Sequence, residues 1–590
     1  MALDSWPLRE VLDDVATGHI QLPDFQREWK WDDERIVSIL ATVTMNYPMG
    51  VIMTLETGGP GGEFKARPVA GVEVLDGRKP GQLLLDGQQR MTSLYQALRS
   101  GRPVDTEDQR GDKLRQWYYI EIAKAIDPKA DRESAIRSVP ESKIIPARGK
   151  RPGLDLTTRE LECEQGFFPL HLVFDSDETE DWQWIYNNSG GPERREAWKA
   201  FRKAVLENVI GYAVPMIRLE KRTPKVAVCT VFEKVNTGGV ALNVFELLTA
   251  SFAGDSSYST AHGEDFHLPK DWADTKARLS AAYPVLSSLE STDFLQAVCL
   301  AATYHKDGAA VSCKRRDMLE LKLDEYLKWA PEIADALQWA GGFLADQCVY
   351  YPEGLPYRTQ LPPLAAIRTI LGAETDTPEA RAKLARWYWC GVFGEQYGGT
   401  ADSRFPRDVE QVTAWLRGGE EPDSVQEARF VVRRLLSMTS RVSAAYKGVF
   451  ALLLQQGCTD WYYNDKPLTS EQIADYKVDI YRVFPTQWCK KNGIDSSRCD
   501  SVVNKTLLSY RAAKAIGTRS PAVGLKALER ETGIRPNWLD DVVVTHFIDP
   551  QAVRASDFDA FFEARKEELV RLIERAMGQR AVRNEAEGLV

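Results

Sequence analysis

The feature that most constrains the fold is an apolar strand that stops abruptly at a polar turn. Residues 83–85 are three leucines, the block Asp86–Arg90 follows them, and helical spacing begins near Thr92. A strand, turn and helix in this order bring backbone N–H groups and the positive end of a helix dipole to one point, which favours an anion. Arg90 offers a planar fork for phosphate, and Asp86 suits a metal or an ordered water. The alternative is a polar turn in which Asp86 caps the helix.

The composition is that of a globular protein. The chain has 590 residues, of which 44% are hydrophobic and 27% charged, so disorder, collagen and coiled-coil arrays are excluded. With 75 Lys+Arg against 85 Asp+Glu, the formal charge is −10, which excludes a uniformly basic coat for nucleic acid but leaves room for a local basic groove. The length predicts roughly three to five domains.

Cysteine usage and the amino terminus bear on the compartment. Nine cysteines occur without a C-x-x-C pair, which predicts reduced thiols. The first residues lack the basic start and apolar run of a signal peptide, and the apolar run Val449–Leu454 is too short to span a membrane. We therefore expect a cytoplasmic protein that has no membrane partner.

The pattern along the chain predicts an α+β multidomain protein. Residues 1–255 mix strands and helices, 256–465 are almost wholly helical, and 466–590 change character again and end in an amphipathic helix. A glycine-rich segment, 397–421, is expected to interrupt the helical region, and residues 542–545 are expected to form a strand.

Three further polar segments invite a functional interpretation. Gln26 and Arg27 lie between aromatic residues that either stack a base or pack, with packing favoured. Residues 148–153 form a basic loop that contacts phosphate or, as the favoured alternative, is solvated. A predicted helix ends at residues 236–239, where glycines allow positive φ, and Asn243 with a glutamate three residues later predicts a capping box.

Three ordered blocks resemble one family. They are Leu22–Trp31, Asp86–Thr92 and Phe232–Leu248, and they are similar to the ParB/sulfiredoxin-like N-terminal domain of GmrSD-type proteins. That family is named for type IV, modification-dependent restriction systems, and phosphorothioate-sensing anti-phage enzymes use the same domain. The resemblance implies an α/β fold with a small sheet and a pocket that binds and hydrolyses a nucleoside triphosphate.

The same resemblance implies which residues line the pocket. The implied catalytic residues are Asp86, Gln88, Gln89 and Arg90. The implied nucleotide-binding residues are Gln26, Arg27, Gly87, Thr92, Asn236, Thr237 and Gly238. No P-loop and no G-x-G-x-x-G motif occurs. The phosphates would therefore be stabilised by arginines, a helix N-terminus and Mg²⁺ as the candidate metal.

The C-terminal region resembles an HNH-type nuclease domain of ββα-metal architecture. The similarity runs over Val478–Pro485, Asp500–Ser509 and the Ile516-Gly517 pair, and it includes Asp479 and Asn504. Where the family has a second asparagine, this chain has Ala513.

The histidines of the nuclease family are replaced here by Tyr481 and Arg482. A tyrosine with an ordinary pKa of about 10 is a poor general base. An arginine cannot accept a proton, and its charge repels a divalent cation. We therefore expect a degenerate site in which the nuclease fold is retained and hydrolysis is lost, with Arg482 as a candidate phosphate contact.

Two other features remain open between structure and function. His546 is either a displaced catalytic histidine or, as the favoured alternative, a structural residue. The basic residues Arg429, Arg433, Arg434, Arg441 and Lys447, several of them expected on one helical face, form either a solvated face or a DNA-contacting one.

These observations favour an anti-phage defence protein that couples nucleoside triphosphate binding or hydrolysis to recognition of foreign or modified DNA. The alternatives are an active metal-dependent DNA endonuclease and a non-catalytic DNA-binding or protein-binding subunit of a defence complex. DNA is the expected partner, together with a protein partner or a second copy of the chain.

Overall fold

The computed structural model describes residues 2–24, 26, 29, 31–59, 64–73, 78–108, 111–147, 153–224, 226–228, 231, 243–308, 310–399 and 403–583. Contacts divide the chain into two compact units, Met1–Leu268 and Pro269–Val590. The prediction of three domains, with boundaries at 255 and 465, stays a prediction. Among the described residues we find no helix with the length and apolar character needed to cross a membrane.

The first unit combines sheets with helices. Its strands are β1 Ala2–Pro7, β2 Ile20–Pro23, β3 Ile52–Glu56, β4 Ala66–Arg67, β5 Gln82–Asp86, β6 Val104–Glu107, β7 Lys113–Glu121, β8 Ile136–Pro140, β9 Ile144–Ile145, β10 Leu154–Asp155, β11 Phe167–Pro169 and β12 Ala213–Leu219. Its α-helices are α1 Leu8–Ala16, α2 Asp33–Thr44, α3 Gln88–Leu98, α4 Ile122–Ile126, α5 Arg132–Ala135, α6 Arg159–Gln165, α7 Ser176–Asn188, α8 Pro192–Phe201, α9 Glu207–Ile210, α10 Val244–Ala253 and α11 Ser256–His262.

The main sheet has the order β1-β12-β3-β5-β2-β4, which places β5 inside the sheet. β5 pairs antiparallel with β3 and parallel with β2, and β12 runs parallel to β3. In a second sheet, β7 pairs antiparallel with β6, β8 and β11. Residues 82–85 of β5 are all buried, so both faces of this inner strand are covered, which explains its apolar composition.

Local signals account for the helices around the main sheet. Asp32 caps α2 by accepting a 2.9 Å hydrogen bond from the N–H of Arg35. Ile36, Leu40 and Val43 are fully buried along that helix, and their helical spacing places them on one apolar face. The helix after the polar turn begins at Gln88, four residues earlier than the apolar spacing indicated, because polar residues can fill a first helical turn.

Aromatic packing fills the core between the α-helices of the first unit. The ring of Phe168 lies 5.1 Å from that of Trp182 in an edge-to-face arrangement, and Trp198 lies 5.4 Å from Trp182. Trp182 and Phe201 are fully buried. Removing a ring of this size from a closed core costs about 3–5 kcal/mol.

The second unit is mainly helical. Its α-helices are α12 Leu268–Ala282, which starts at the boundary, α13 Ser291–Tyr304, α14 Arg315–Leu319, α15 Leu323–Asp346, α16 Leu361–Leu371, α17 Pro378–Phe393, α18 Phe405–Leu416, α19 Asp423–Gln426, α20 Arg434–Ser437, α21 Ala444–Gln455, α22 Ser470–Asp475, α23 Thr486–Lys491, α24 Ser496–Asp500, α25 Tyr510–Ile516, α26 Pro521–Thr532, α27 Pro536–Val544, α28 Pro550–Ala555 and α29 Phe558–Met577. Its strands are β13 Asp479–Arg482 and β14 Lys505–Leu508.

Shorter helical turns join these elements. The 3₁₀ turns are Leu170–Leu172, Pro284–Ser288, Pro352–Gly354, Arg358–Gln360, Gly372–Asp376 and Val502–Asn504, and Arg202–Leu206 is a π-helical turn between α8 and α9.

Two expectations about the second unit were wrong. The segment 397–421 contains α18, whose buried face includes Phe405, Val409 and Val412. Its glycines lie on either side of the helix and do not interrupt it. Residues 542–544 end helix α27, not a strand, because Leu539, Val542 and Val543 share a buried helical face.

Candidate functional site

The turn after β5 has a backbone that only glycine adopts without strain. Gly87 has φ 91° and ψ 12°, in the left-handed region, and it directly precedes α3. A Cβ at this position would overlap the Cδ1 atom of Ile52 on β3. Conformation and space therefore both require glycine, so this position serves the geometry of the turn.

A bulge at the end of β5 sets the direction of Asp86. Met53 and Thr54 are consecutive on β3, yet they pair with Asp86 and Leu84, so Leu85 is an extra residue in the ladder. Such bulges redirect side chains and occur next to active sites. The Asp86 side chain is 28% exposed, and it is not the cap of α3, whose N-cap is Gly87 without a side-chain bond.

Arg90 turns toward the start of β3. Its Nη1 donates to the carbonyl of Met49 at 2.8 Å, and its Nη2 donates to the carbonyl of Val51 and to Oδ2 of Asp86, each at 3.0 Å. A Cβ on Gly50 would overlap Nη1 of Arg90. Arg90 therefore orients Asp86 and fastens the turn to the neighbouring strand. The sequence missed this role of Gly50, although a glycine before a strand was an available signal.

The carboxylate of Asp86 is only partly used by the fold. Its Oδ2 accepts the bond from Arg90, and no hydrogen bond to Oδ1 is found among the described residues. A carboxylate held from one side by an arginine can present its second oxygen to a cation or a water. The arrangement is chemically suited to the metal or water role predicted for this residue.

Gln26 is brought to the same turn from a distant part of the sequence. Its Nε2 donates to the carbonyls of Leu84 and Leu85, at 2.8 and 3.0 Å. Arg67 donates to the Gln26 carbonyl at 2.8 Å. The Oε1 atom of Gln26 is buried and has no hydrogen-bond partner, which is uncommon for a buried amide. The two polar segments predicted to line one pocket therefore meet at the bulge.

The other residues of the segment Asp86–Thr92 differ in how far they are exposed to solvent. Gln88 is buried and Gln89 is partly exposed. Thr92 is fully buried, and its hydroxyl has no partner. Trp29 and Trp31 pack against the core, and the Trp29 Nε1 donates to Ser93 at 3.2 Å, which agrees with packing as the favoured role of these aromatics.

Several predicted residues lie outside the described residues. They are Arg27, Asn236, Thr237, Gly238 and the loop positions 148–152. The capping box downstream of them is present, since Asn243 Oδ1 accepts from Glu246 N–H at 2.9 Å and Glu246 Oε2 accepts from Asn243 N–H at 2.8 Å. Within the described part of the chain, no group of three or more His, Cys, Asp or Glu side chains is arranged to hold a metal ion.

The second candidate site lies in the second unit, where β13 and β14 pair antiparallel and α25 follows them. A small cavity of about 190 Å³ opens beside this ββα arrangement. Tyr481, Arg482 and Ala513 all line it. The three positions at which the chain departs from the HNH-type pattern therefore come together at one place.

The charged groups around this cavity are paired with one another. Arg482 Nε donates to Asp500 at 3.1 Å, and Asp479 forms an ion pair with Arg441. Burial, followed by the charge of Asp479, raises the pKa of Tyr481 above its ordinary value. A raised pKa leaves even less of the deprotonated form of Tyr481 at neutral pH, so this side chain is rarely available as a base.

Asn504 holds the backbone together and does not line the cavity. It is fully buried. Its Nδ2 donates to the carbonyls of Phe484 and Cys499, each at 2.9 Å, and its Oδ1 accepts from the N–H of Phe484 at 2.8 Å. These bonds fix the connection between β13 and β14.

His546 is enclosed in the second unit. It is fully buried, its Nε2 lies 2.7 Å from the carbonyl of Thr459, and its Nδ1 lies 2.7 Å from the hydroxyl of Thr506. Since a carbonyl only accepts, we assign the ring proton to Nε2. Burial lowers the pKa of His546 to about 4. These contacts agree with the structural alternative.

Most of the basic residues that the sequence grouped together in the second unit have a carboxylate or a carbonyl as partner. Arg434 pairs with Glu395 at 2.6 Å, Arg441 pairs with Asp479, and the Nζ of Lys447 donates to the carbonyl of Leu355 at 2.9 Å. Arg429 donates to two backbone carbonyls. Arg434 starts α20 and Lys447 lies in α21, so the expectation of one shared helical face was wrong. A turn between them separates the two helices.

Comparison with known proteins supports the resemblance of the first unit to GmrSD-type proteins. Residues 8–253 match the family model of the GmrSD restriction endonuclease, N-terminal domain. The match supports a GmrSD-like family, and it points to a restriction or defence protein that interacts with DNA. It includes the turn at Asp86 and the segment that carries Gln26.

A second similarity extends through both units. An uncharacterized protein of Methanocaldococcus jannaschii is 24% identical over 575 residues, which cover 93% of this chain and 92% of that relative. The alignment therefore spans the turn of the first unit and the ββα arrangement of the second.

Proposed function

We propose that this protein is a defence factor that binds and hydrolyses a nucleoside triphosphate at the turn Asp86–Arg90. The proposal rests on the carboxylate of Asp86. The bulge at Leu85 sets its direction, and the hydrogen bond from Arg90 holds it there. The left-handed Gly87 allows α3 to begin immediately beside it. The start of α3, an 11-residue helix, favours a bound anion at this position.

The residues of the turn take different roles in this proposal. Asp86 is the residue that would hold Mg²⁺ or orient the attacking water, and Gln88 and Gln89 contribute hydrogen bonds to the nucleotide. Arg90 is a positioning residue, since its two Nη atoms bind Asp86 and two carbonyls. Bound Mg²⁺ would neutralise charge on the phosphates. The Oε1 atom of Gln26 is buried and has no hydrogen-bond partner, which makes it a further candidate contact for the nucleotide.

The second unit takes the recognition role in this proposal. We infer that it contacts foreign or modified DNA without cutting it. The pairing of Arg482 with Asp500, the raised pKa of Tyr481 and the structural bonds of Asn504 support a silent nuclease-like site. An active endonuclease is the less favoured alternative, since the cavity lacks a histidine among its lining residues.

Phosphate release from a panel of nucleoside triphosphates tests the proposal. We expect turnover by the full chain that Asp86→Asn abolishes, because this change removes the charge but keeps the size of the side chain. Asp105→Asn is the matched control, since Asp105 lies on β6 of the same unit and is 79% exposed. Equal turnover in the two variants would reject the site. The same reactions, analysed for DNA cleavage, should show intact DNA.

A further inference from the structure

A tyrosine-rich surface in the second unit lies apart from the turn at Asp86, and the inference drawn from it rests on the DNA contact proposed for this unit and makes that contact more specific. This surface consists of Tyr463, Tyr476, Tyr481, Tyr510, Arg511 and Lys514, and we call it the tyrosine surface. Tyr463 and Tyr476 form a stacked pair, with ring centroids 3.8 Å apart and planes inclined by 17°. Stacked, partly exposed tyrosines make a preorganised flat platform that loses little side-chain freedom when a ligand binds.

Arg511 extends the platform with an uncompensated charge. Its guanidinium lies 5.6 Å from the ring centre of Tyr462 and 5.9 Å from that of Tyr463. Arg511 is exposed, and no ion pair to it is found within the described residues. A guanidinium held on aromatic rings and left without a carboxylate is available to an anion.

Tyr510 is the most accessible ring of the surface. It is 56% exposed, and it makes no ring contact among the residues that the structure describes. Its N–H donates to the carbonyl of Tyr476 at 3.3 Å, which fixes Tyr510 beside the stacked pair. Tyr510 begins α25, and Lys514 lies four residues later, a spacing that places both on one side of the helix.

The surface continues to the small cavity. Tyr481 lines the cavity of about 190 Å³ together with Ala513 and Ile516 of α25, the helix that begins at Tyr510. A cavity of this size is smaller than the pockets of roughly 300–1,000 Å³ that enclose whole small-molecule ligands. It suits one flat group of a longer chain.

Aromatic faces and basic groups lie together at this surface. Acidic groups are present as well: Asp479 pairs with Arg441, Asp465 lies 3.5 Å from the hydroxyl of Tyr476, and the exposed Asp475 directly precedes Tyr476. Arg511 and Lys514 supply two positive charges beside the rings. Alternating aromatic faces and basic groups are typical of surfaces that bind single-stranded nucleic acid, because every base has a flat face and every link carries a phosphate.

We propose that the tyrosine surface binds single-stranded nucleic acid. Bases stack on Tyr510 and Tyr476, and Arg511 and Lys514 contact the phosphates between them. The site needs neither the nucleotide nor the turn at Asp86, so it can be tested without the proposed hydrolysis and can fail independently of it.

Fluorescence anisotropy of the full chain with a labelled oligothymidine tests this proposal. We expect Tyr510→Ala to weaken binding roughly five- to a hundredfold, since one stacked base contributes that much. Tyr510→Phe keeps the ring and should bind as the parent protein does. Trp538→Ala is the matched control, because Trp538 is a 60% exposed aromatic residue on another helix, α27.

Further arms of the experiment identify the partner. A duplex of the same length should bind more weakly than the single strand, because its bases are already stacked on one another. A single-stranded RNA arm shows whether the sugar matters. The proposal is overturned if the oligothymidine does not bind, if Tyr510→Ala binds like the parent, if Tyr510→Phe loses as much affinity as Tyr510→Ala, or if the duplex binds more tightly than the single strand.

Discussion

The two candidate sites use their arginines in different ways. In the first unit, Arg90 binds two carbonyls and Asp86, and the second oxygen of that carboxylate stays without a partner in the described structure. In the second unit, Arg482 pairs with Asp500, and the other acidic residue, Asp479, pairs with Arg441. The first arrangement prepares a carboxylate for a ligand, whereas the second neutralises its acidic groups.

The backbones of the two sites also differ in what they support. The first depends on a glycine with positive φ, a bulge and a distant glutamine, features that concentrate where a side chain must be aimed. The second depends on Asn504, whose bonds close a connection between two strands and leave no group for chemistry. The comparison indicates that the first site is built to aim a side chain, whereas the second is built to hold its backbone.

The largest effect is expected at the turn of the first unit. Gly87→Ala should destabilise the protein by roughly 2–6 kcal/mol, because it combines positive φ with overlap against Ile52. Thermal unfolding measures this change. Gly58→Ala is the control, since Gly58 also has positive φ but open space around it, and should cost only about 1–2 kcal/mol. Equal losses would show that Ile52 does not limit the turn.

Asn504→Ala should give the next effect, a destabilisation of roughly 2–4 kcal/mol, because it leaves buried groups of Phe484 and Cys499 without partners. Urea unfolding monitored in the second unit measures the loss. Asn492→Ala removes one exposed bond to Trp488 and should stay within about 0.5 kcal/mol. A stable Asn504→Ala protein would argue that this residue is kept for a ligand.

His546 predicts a pH dependence of the second unit. Its pKa is lowered to about 4 in the folded protein, from about 6.5 when unfolded. The unfolded chain therefore binds the proton first, and stability present above pH 6.5 is lost as the pH falls toward 4, by about 3 kcal/mol. His546→Gln should flatten this slope in unfolding measured between these pH values. An unchanged slope would assign the effect to other groups.

The smallest effect is expected from Tyr481→Phe. If the nuclease-like site is silent, plasmid incubated with Mg²⁺ should stay intact with the parent and the variant alike, and a chelator should change nothing. Agarose gels measure the cut fraction. If the parent cuts the plasmid in a metal-dependent way and Tyr481→Phe does not, the second site is catalytic. The contrast drawn above between the two sites would then be wrong.

The sequence predicted local elements well and their contacts poorly. Strand β5 and the capping box at Asn243 were both predicted, because each depends on neighbours within a few residues. The valines at 542–544 were assigned to a strand, since β-branched composition outweighed the helical spacing that continues from Leu539. Tertiary burial of that face decided for a helix.

The sequence by itself determined that a polar turn follows a buried strand and precedes a helix, since the apolar run, the glycine and the helical spacing are all local. Only the tertiary structure decided what the charged groups of that turn do. Gln26 reaches carbonyls 58 and 59 residues away, and Arg90 reaches carbonyls 41 and 39 residues away. A side chain's hydrogen-bond partner depends on which strands become neighbours, and spacing along the chain does not contain that information.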